Sequence, residues 1–526
     1  MSPAPGFFRR RLELAGRACV PRLEALRRGR GGDAAAALAG ALLVTAFAPF
    51  GWYPLAVLMP WALLWLLAPL SPRQAARRGF LFGAAEFACG VYWIYISVHV
   101  VGGAPSWVAF LMLLTLTAIM AAYTALVCAL TVHWAPQTGW RRDLMLFPAL
   151  WTSAEWLRSW FLSGFPWLSL GYSQIEGPLE GYAPLLGVFG LSLAAVLSAG
   201  LLNRAAARGA SARARVAALA ALIAVWAAGA GLATLQWTRP AGPPIQVSLL
   251  QGDVPQDEKW APEAFLPTLD LYRELTDKRW TSRLIVWPEA AIPAYEDEVW
   301  SDYLDPLRAD ARRHKTDLLL GVPTQDFSND HYYNSVISVG ASDGVYHKRH
   351  LVPFGEFFPV PEWVRHWLAL MDLPYSDFTA GEAEQPLLRA AGYAVGVSIC
   401  YEDAFGDEVM RDLPQAAFLV NVSNDGWFGD SIALPQHLQI ARMRAAETGR
   451  YLLRATNTGL TAIVDEHGAL RGLAPRAQVA TLDGILQPLT GSTPLKRWGN
   501  SAVLVLSLLS VLAAAWAERR AGGRSP

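Results

Sequence analysis

Eight long apolar runs, seven of them before residue 240, constrain this chain of 526 residues more than any other feature. They fall at about 34–50, 52–70, 79–99, 105–134, 144–161, 182–203, 215–236 and 499–517. A helix that crosses a bilayer needs roughly 20 mostly apolar residues, and hydrocarbon tolerates only a backbone that bonds to itself. The runs therefore predict a polytopic α-helical membrane bundle of about eight spans. At 53% hydrophobic residues the chain is too apolar for an ordinary soluble enzyme. Its formal net charge of zero gives no case for nucleic acid. The fifth run is the least apolar. Glu155 and Arg158 stand three apart on one of its faces and could pair, with a partly interfacial helix as the rival reading. Glu86 is the clearest charge at membrane depth and is given no role.

Arginine placement orients the bundle, because positive residues flank cytoplasmic ends. Arg9, Arg10, Arg11, Arg27, Arg28 and Arg30 precede the first run. Arg73, Arg77 and Arg78 follow the second, Arg141 and Arg142 the fourth, Arg204 and Arg208 the sixth, and Arg519 and Arg520 the eighth. The alternate connections are nearly free of them. This pattern puts both termini in the cytoplasm and the region between runs seven and eight in the periplasm of a bacterial inner membrane. A signal peptide does not fit, because the basic region is long and the first apolar run leads straight into a second. The expected organisation is a cytoplasmic basic segment at 1–33, seven spans at 34–240, a periplasmic domain at 241–492, and a last span with a cytoplasmic tail at 493–526.

Between the spans, strand-like runs recur at Ile245–Gln251, Leu284–Trp287, Asp317–Val322, Asn334–Val339, Ala394–Ile399, Ala417–Asn421 and Thr461–Asp465. Helical patterns at Ala261–Lys278, Val299–His314 and Leu434–Thr448 separate some of them. Short buried strands alternating with helices indicate an α/β layered domain. It holds no phosphate-binding glycine loop, no dinucleotide fingerprint, no HExxH and no serine elbow. No cofactor or metal is expected.

Within this domain Cys400 ends the apolar run Tyr393–Cys400 and leads into Tyr401-Glu402-Asp403. A thiol at the end of a buried strand is where a fold can present a nucleophile. Taken alone, a buried structural thiol is the plainer reading. The other cysteines, Cys19, Cys89 and Cys128, lie in the N-terminal segment and the apolar runs, so Cys400 has no local disulfide partner and no metal-ligand spacing. Glu289 ends the run Leu284-Ile-Val-Trp-Pro-Glu289, and Lys348 follows another apolar stretch. Carboxylate, ammonium and thiol together make a base, an electrostatic partner and a nucleophile. Only five lysines occur among 44 basic residues, so a lysine kept at 348 suggests a need for a compact ammonium.

Three segments, Val286-Trp-Pro-Glu289, His347-Lys-Arg-His-Leu-Val-Pro-Phe-Gly-Glu356 and Ser398-Ile-Cys-Tyr-Glu-Asp403, resemble the Glu–Lys–Cys motifs of the nitrilase superfamily in order and spacing. With Gln251–Trp260, Gly164–Gln174, Asn421–Gly429 and the flanking spans, the chain is similar to the bacterial apolipoprotein N-acyltransferase family. The resemblance implies a four-layer α-β-β-α domain seated on eight spans. It implies transfer of a fatty acyl chain from a membrane phospholipid to the α-amino group of a lipoprotein's S-diacylglyceryl-cysteine. Cys400 would be the nucleophile, Glu289 the general base and Lys348 the partner of thiolate and oxyanion. By the same resemblance Glu356 positions Lys348 and the substrate, and Glu402 supports the site; a structural carboxylate is the alternative for each. The Tyr401 backbone N–H is an oxyanion candidate. Asn334, Trp260 and Trp427 are further candidates, with core packing the rival for both tryptophans. Residues Phe354–Phe378, rich in aromatics and prolines, read as a lid or an ordinary packed loop.

A lipid donor also follows from placement. A thioester-forming site facing the periplasm has no supply of ATP or acyl-CoA, while the outer leaflet lies beside it. Eight spans also exceed what an anchor requires. The expected partners are phospholipid, diacylglyceryl-modified apolipoproteins and the bilayer, and the expected state is a monomer. The rival within enzymes is a membrane-tethered amidase of the same superfamily. A transporter or sensor is poorly supported, with few intramembrane charges and no repeat pair.

Overall fold

The structure, a computed structural model, describes residues 27, 29–68, 70–329, 331–357 and 378–522. Most of the basic N-terminal segment, Cys19 included, lies outside the described residues, as do residues 358–377 of the expected lid.

Each of the eight apolar runs overlaps a helix: Arg30–Leu43, Leu55–Leu66, Pro72–Gly90, Ser106–Trp134, Phe147–Arg158, Ala183–Ala206, Ala212–Leu232 and Ser501–Gly522. Among the described residues, three are long and apolar enough to cross a membrane: Ser106–Trp134, Glu180–Ala206 and Ala212–Leu232. Pro72–Gly90 with Trp93–Val101, bent by 50°, adds a fourth if the pair is one span. Leu55–Leu66 and Ser501–Ala517 are apolar but shorter. Proline accounts for two short elements. Pro49 lies just past the first helix, and the second begins after Pro54 and carries Pro60 inside. The third helix starts at Pro72, capped by Ser71 and Gln74, and not near 79. Arg78 is consequently no loop residue. It is buried and donates to the carbonyls of Leu66 and Arg27 and to Asp33. Gly79 and Gly83 let this helix lie against Ser106–Trp134; a Cβ at Gly79 would sit 2.7 Å from the Thr124 carbonyl.

The domain that follows has two six-stranded sheets. The first runs, in spatial order, Ala480–Leu486, Ile245–Gln251, Leu284–Val286, Asp317–Asp326, His331–Val339, Gly344–His347. The second runs Leu470–Leu473, Ala462–Val464, Leu452–Thr456, Phe418–Ser423, Tyr393–Ile399, Leu388–Ala390. In each sheet three central strands are parallel and the flanking ones antiparallel. Side chains alternate with the pleat. Val247, Leu249, Val286 and Leu319 face the other sheet's Val395, Val397, Val420 and Leu453. On the outer face of the first sheet, Ile285, Trp287, Leu318 and Leu320 meet Leu269, Tyr272 and Leu307 of helices Pro262–Asp277 and Asp305–His314. On the outer face of the second, Leu419, Leu452 and Val464 meet Leu438, Ala441 and Ala445 of helix Ala433–Thr448. The result is an α-β-β-α sandwich.

Helix Ala433–Thr448 is the seat between the two halves, and 14 of its 16 residues are buried. Its far side packs Leu434, Ile440 and Met443 into the core of the helical half, beside Phe47, Trp167 and Val188. Gln436 accepts from the indoles of Trp93 and Trp167 and donates to the Gly90 carbonyl, and Glu447 accepts from the Val188 N–H at 2.6 Å. The chain enters and leaves the domain through one two-stranded ladder, Thr238–Pro240 against Leu489–Gly491.

Candidate active site

Glu289, Lys348 and Cys400 each sit just past the end of a strand, and the sandwich brings those ends together. Glu289 turns away after Leu284–Val286, behind Trp287, whose ring stacks on Tyr272 at 4.9 Å. The turn crosses the neighbouring strand so closely that only glycine fits at 321. A Cβ there would lie 2.2 Å from the Pro288 carbonyl. Lys348 follows Gly344–His347, and its N–H donates to the Asn334 carbonyl at 2.8 Å. Cys400 follows Tyr393–Ile399 at φ +53°, a left-handed conformation that costs a non-glycine residue energy and recurs at functional turns.

All three side chains are buried, at 7%, 1% and 8% exposure in chain order. The Lys348 ammonium donates to Glu356 Oε1 at 2.7 Å and to Glu289 Oε1 at 3.5 Å. Asn334 Nδ2 bridges the same two carboxylates at 2.7 and 3.0 Å. Glu289 Oε2 accepts from the Asn424 backbone N–H at 2.8 Å. Burial drives the Lys348 pKa down, but Glu356, Glu289 and Cys400 outweigh it and hold the amine well above its ordinary value. Burial first, then the charge of Glu289, pushes the Cys400 thiol well up, with Lys348 opposing. A thiol so placed keeps its proton at rest and yields a thiolate only as a base removes it.

Glu402 faces backbone. It accepts from the N–H groups of Ile399, Arg349 and His350 at 2.6, 2.6 and 3.1 Å and from the Tyr346 hydroxyl. One carboxylate thus ties the Lys348 segment to the Cys400 turn. Burial raises its pKa to about 7 against these donors. The Tyr401 hydroxyl donates to the Gly164 carbonyl, and its ring stacks on Trp167. That contact joins the turn to the Gly164–Gln174 loop of the helical half. Trp260 and Trp427 are 54% and 42% exposed, so neither is core packing, and the hydrogen-bonded cluster is built without them. Their neighbours are inside. Lys259 is buried and donates to the Glu289 carbonyl at 3.2 Å; burial lowers its pKa to about 8, with Glu289 opposing.

Sequence reasoning also missed a charged layer behind Cys400. Arg454 donates to Asp403, Asp425 and Asn421, and His437 lies between the same two aspartates. Asp425 lies within the segment Asn421–Gly429. Arg454 interrupts the apolar pattern of Tyr451-Leu-Leu-Arg-Ala-Thr456, so no local signal pointed to it. Ligand atoms of Cys400, Asp425 and His437 come within 4.8 Å of one another. Arg454 already neutralises Asp425 at 3.0 Å and stands 2.9 Å from His437 Nδ1, so its guanidinium fills the place a metal would need.

Glu155 and Arg158 serve loop backbone as well. Glu155 accepts from the Leu170 N–H, and Arg158 donates to the carbonyls of Phe165 and Trp167. Both are buried. A cleft runs between Ser163 of the helical half and Tyr332, Arg349, His350 and Leu351 of the sandwich.

Residues 39–201 match the model of the apolipoprotein N-acyltransferase N-terminal domain, and residues 246–488 match that of carbon-nitrogen hydrolases. The apolipoprotein N-acyltransferase of Methylococcus capsulatus is 46% identical over 92% of this chain and 96% of its own length. That of Nitrosomonas europaea is 44% identical over 91% and 97%. That of Vibrio cholerae is 39% identical over 93% and 97%. The chain belongs to the apolipoprotein N-acyltransferase family, a helical half joined to a carbon-nitrogen hydrolase sandwich.

Proposed function

We propose that this acyltransferase moves a fatty acyl chain from a membrane phospholipid to the α-amino group of a lipoprotein's N-terminal S-diacylglyceryl-cysteine, through a thioester on Cys400. The observation that carries the reading is the buried cluster in which Lys348 lies between Glu289 and Glu356 beside the Cys400 turn.

Glu289 takes the Cys400 proton, and the thiolate attacks the ester carbonyl. Lys348 stabilises the thiolate and then the tetrahedral oxyanion, with the Tyr401 N–H as a second donor. The ester C–O bond breaks, Glu289 returns the proton to the departing lysophospholipid alkoxide, and the thioester remains. The peptide amine then attacks the thioester. Glu289 accepts its proton, the amide forms, the C–S bond breaks, and Glu289 hands the proton to the departing sulfur, restoring the thiol and the free carboxylate. This order is ping-pong. Glu356 and Asn334 hold Lys348 and Glu289 in register, and Glu402 holds the Cys400 turn. The tryptophans 260 and 427 have surface places suited to substrate contact.

On this reading the helical half crosses a bacterial inner membrane eight times. Both termini are cytoplasmic, and the sandwich of residues 241–492 is periplasmic, at the surface where phospholipid is available. The cleft between Ser163 and Arg349–Leu351 is the entry for both acyl donor and amine acceptor. The enzyme works as a monomer. Intact-protein mass spectrometry after incubation with phospholipid and no acceptor tests the first half-reaction. One hydroxylamine-labile acyl chain per enzyme, absent from Cys400→Ala, is expected. A well-folded enzyme that gains no mass while hydrolysing small amides would move the reading to a membrane-tethered amidase.

A further inference from the structure

We propose that His437 is a positioning residue of the Cys400 site: an imidazolium clamped between Asp403 and Asp425 that fixes the Cys400 carbonyl and stands as a further cation beside the Cys400 sulfur. The inference rests on the reading of Cys400 as nucleophile and extends it to a residue on the seat helix.

Every group facing this ring is polar or aromatic. Nδ1 lies 2.9 Å from Asp425 Oδ1, and Nε2 lies 3.1 Å from Asp403 Oδ1 and 3.3 Å from the Cys400 carbonyl oxygen. A carboxylate at each nitrogen asks for a proton on each, against the Arg454 guanidinium, which also stands 2.9 Å from Nδ1. Asp403 comes from the Cys400 turn, Asp425 from the turn after Phe418–Ser423, and Arg454 from the strand that follows the seat helix. Arg454 bonds both aspartates, so two cations face two carboxylates, and all four side chains are 1% exposed or less. The sulfur of Cys400 lies within 4.8 Å of this ring, on a residue whose other charged neighbours are Glu289, Lys348, Asp425 and Arg454. Trp167 of the helical half covers the imidazole at 5.5 Å and stacks on Tyr401 as well. An aromatic face over a desolvated cation is favourable. Burial and Arg454 lower the affinity of the ring for its second proton, but Asp403 and Asp425 prevail and raise the pKa to about 9.

The pair of carboxylates does two jobs through His437. It anchors the carbonyl of a residue held at φ +53°, together with Asn421 Nδ2 at 3.2 Å. It also keeps a positive group beside a sulfur that becomes negative once Glu289 takes its proton. A merely structural histidine would do the first and not the second.

Two readouts on the full-length, detergent-purified protein separate these. The first is the rate of iodoacetamide alkylation of Cys400, followed on its peptide from pH 5 to pH 10. With the wild-type thiol already held well up, His437→Gln is expected to label about tenfold more slowly across this range, at a Tm that keeps the fold. A profile that overlays the wild type overturns the proposal, even if turnover is lost. The second needs no variant. In wild-type protein carrying 15N-histidine, one ring is expected to hold protons on both nitrogens at pH 8, where unperturbed histidines are neutral. If every ring is neutral there, with Nδ1 of His437 accepting from Arg454 instead, the proposal is wrong. Neither readout uses an acyl donor, so failure here and failure to form the thioester are seen separately.

Discussion

At the scale of single residues, the site is an exercise in placing charge where burial alone would remove it. Lys348 keeps its proton only because Glu356 and Glu289 surround it. Lys348→Met preserves the stem and deletes the charge. Loss of one oxyanion donor costs about 3–4 kcal/mol, so single-turnover acylation should slow by roughly a hundredfold to a thousandfold. A change below tenfold would remove Lys348 from the transition state. His437 gives a pH signature in stability. Its folded pKa of about 9 lies above the ordinary 6.5. The stabilisation is therefore complete below the unfolded value and is lost as pH rises through the folded one. Denaturant titrations at pH 6, 8 and 10 should show wild type losing its advantage over His437→Gln across that window. Parallel curves would contradict the assignment.

At the scale of elements, strand ends carry the chemistry and one helix carries the seat. Gly321 is the point where a strand interior and the Glu289 turn meet. Gly321→Ala should displace Glu289, costing about 1–3 kcal/mol of stability by overpacking, with acylation falling more than Tm; unaltered acylation would refute the close approach. In the seat helix, Glu447 joins Arg444 at 2.9 Å and the Val188 N–H. Glu447→Ala strands a buried guanidinium, so a loss of about 3 kcal/mol or more is expected in thermal unfolding. Strands with clean apolar runs were legible in the sequence. Ile245–Gln251 matches end for end, and Asp317–Asp326 and Phe418–Ser423 were each found within a few residues. Leu452–Thr456 was not legible, because Arg454 interrupts its apolar pattern and its carboxylate partners are remote in sequence. Ala480–Leu486 was missed because it is an edge strand with mostly half-exposed side chains. The positions of Glu289, Lys348 and Cys400 could be read because charge or thiol followed β-prone runs. Lys259 and His437 could not, since nothing local distinguishes a buried lysine from a solvated one or a buried histidine from a helix-surface one.

At the scale of the whole molecule, two halves that could each be read alone meet through a helix buried on both faces. The sequence pattern of that helix read as a helix of an α/β domain; the helical half makes it an interior one. The Gly164–Gln174 loop then reaches the Cys400 turn through Trp167, Gly164 and Tyr401. The proposed orientation has a direct check. A protease site placed in the exposed turn at 475–479 should be cut in intact spheroplasts, and a tag fused to the C-terminus only after lysis. The reverse pattern would invert the topology.

The central claim is that Cys400 carries the acyl chain to an amine. The most direct measurement isolates the acyl-enzyme, adds a diacylglyceryl-cysteine peptide, and follows both masses in time. The account predicts that the acyl mass leaves Cys400 and appears on the peptide amine, while an N-acetylated peptide leaves the enzyme acylated. Discharge as free fatty acid at the same rate with either peptide would contradict it.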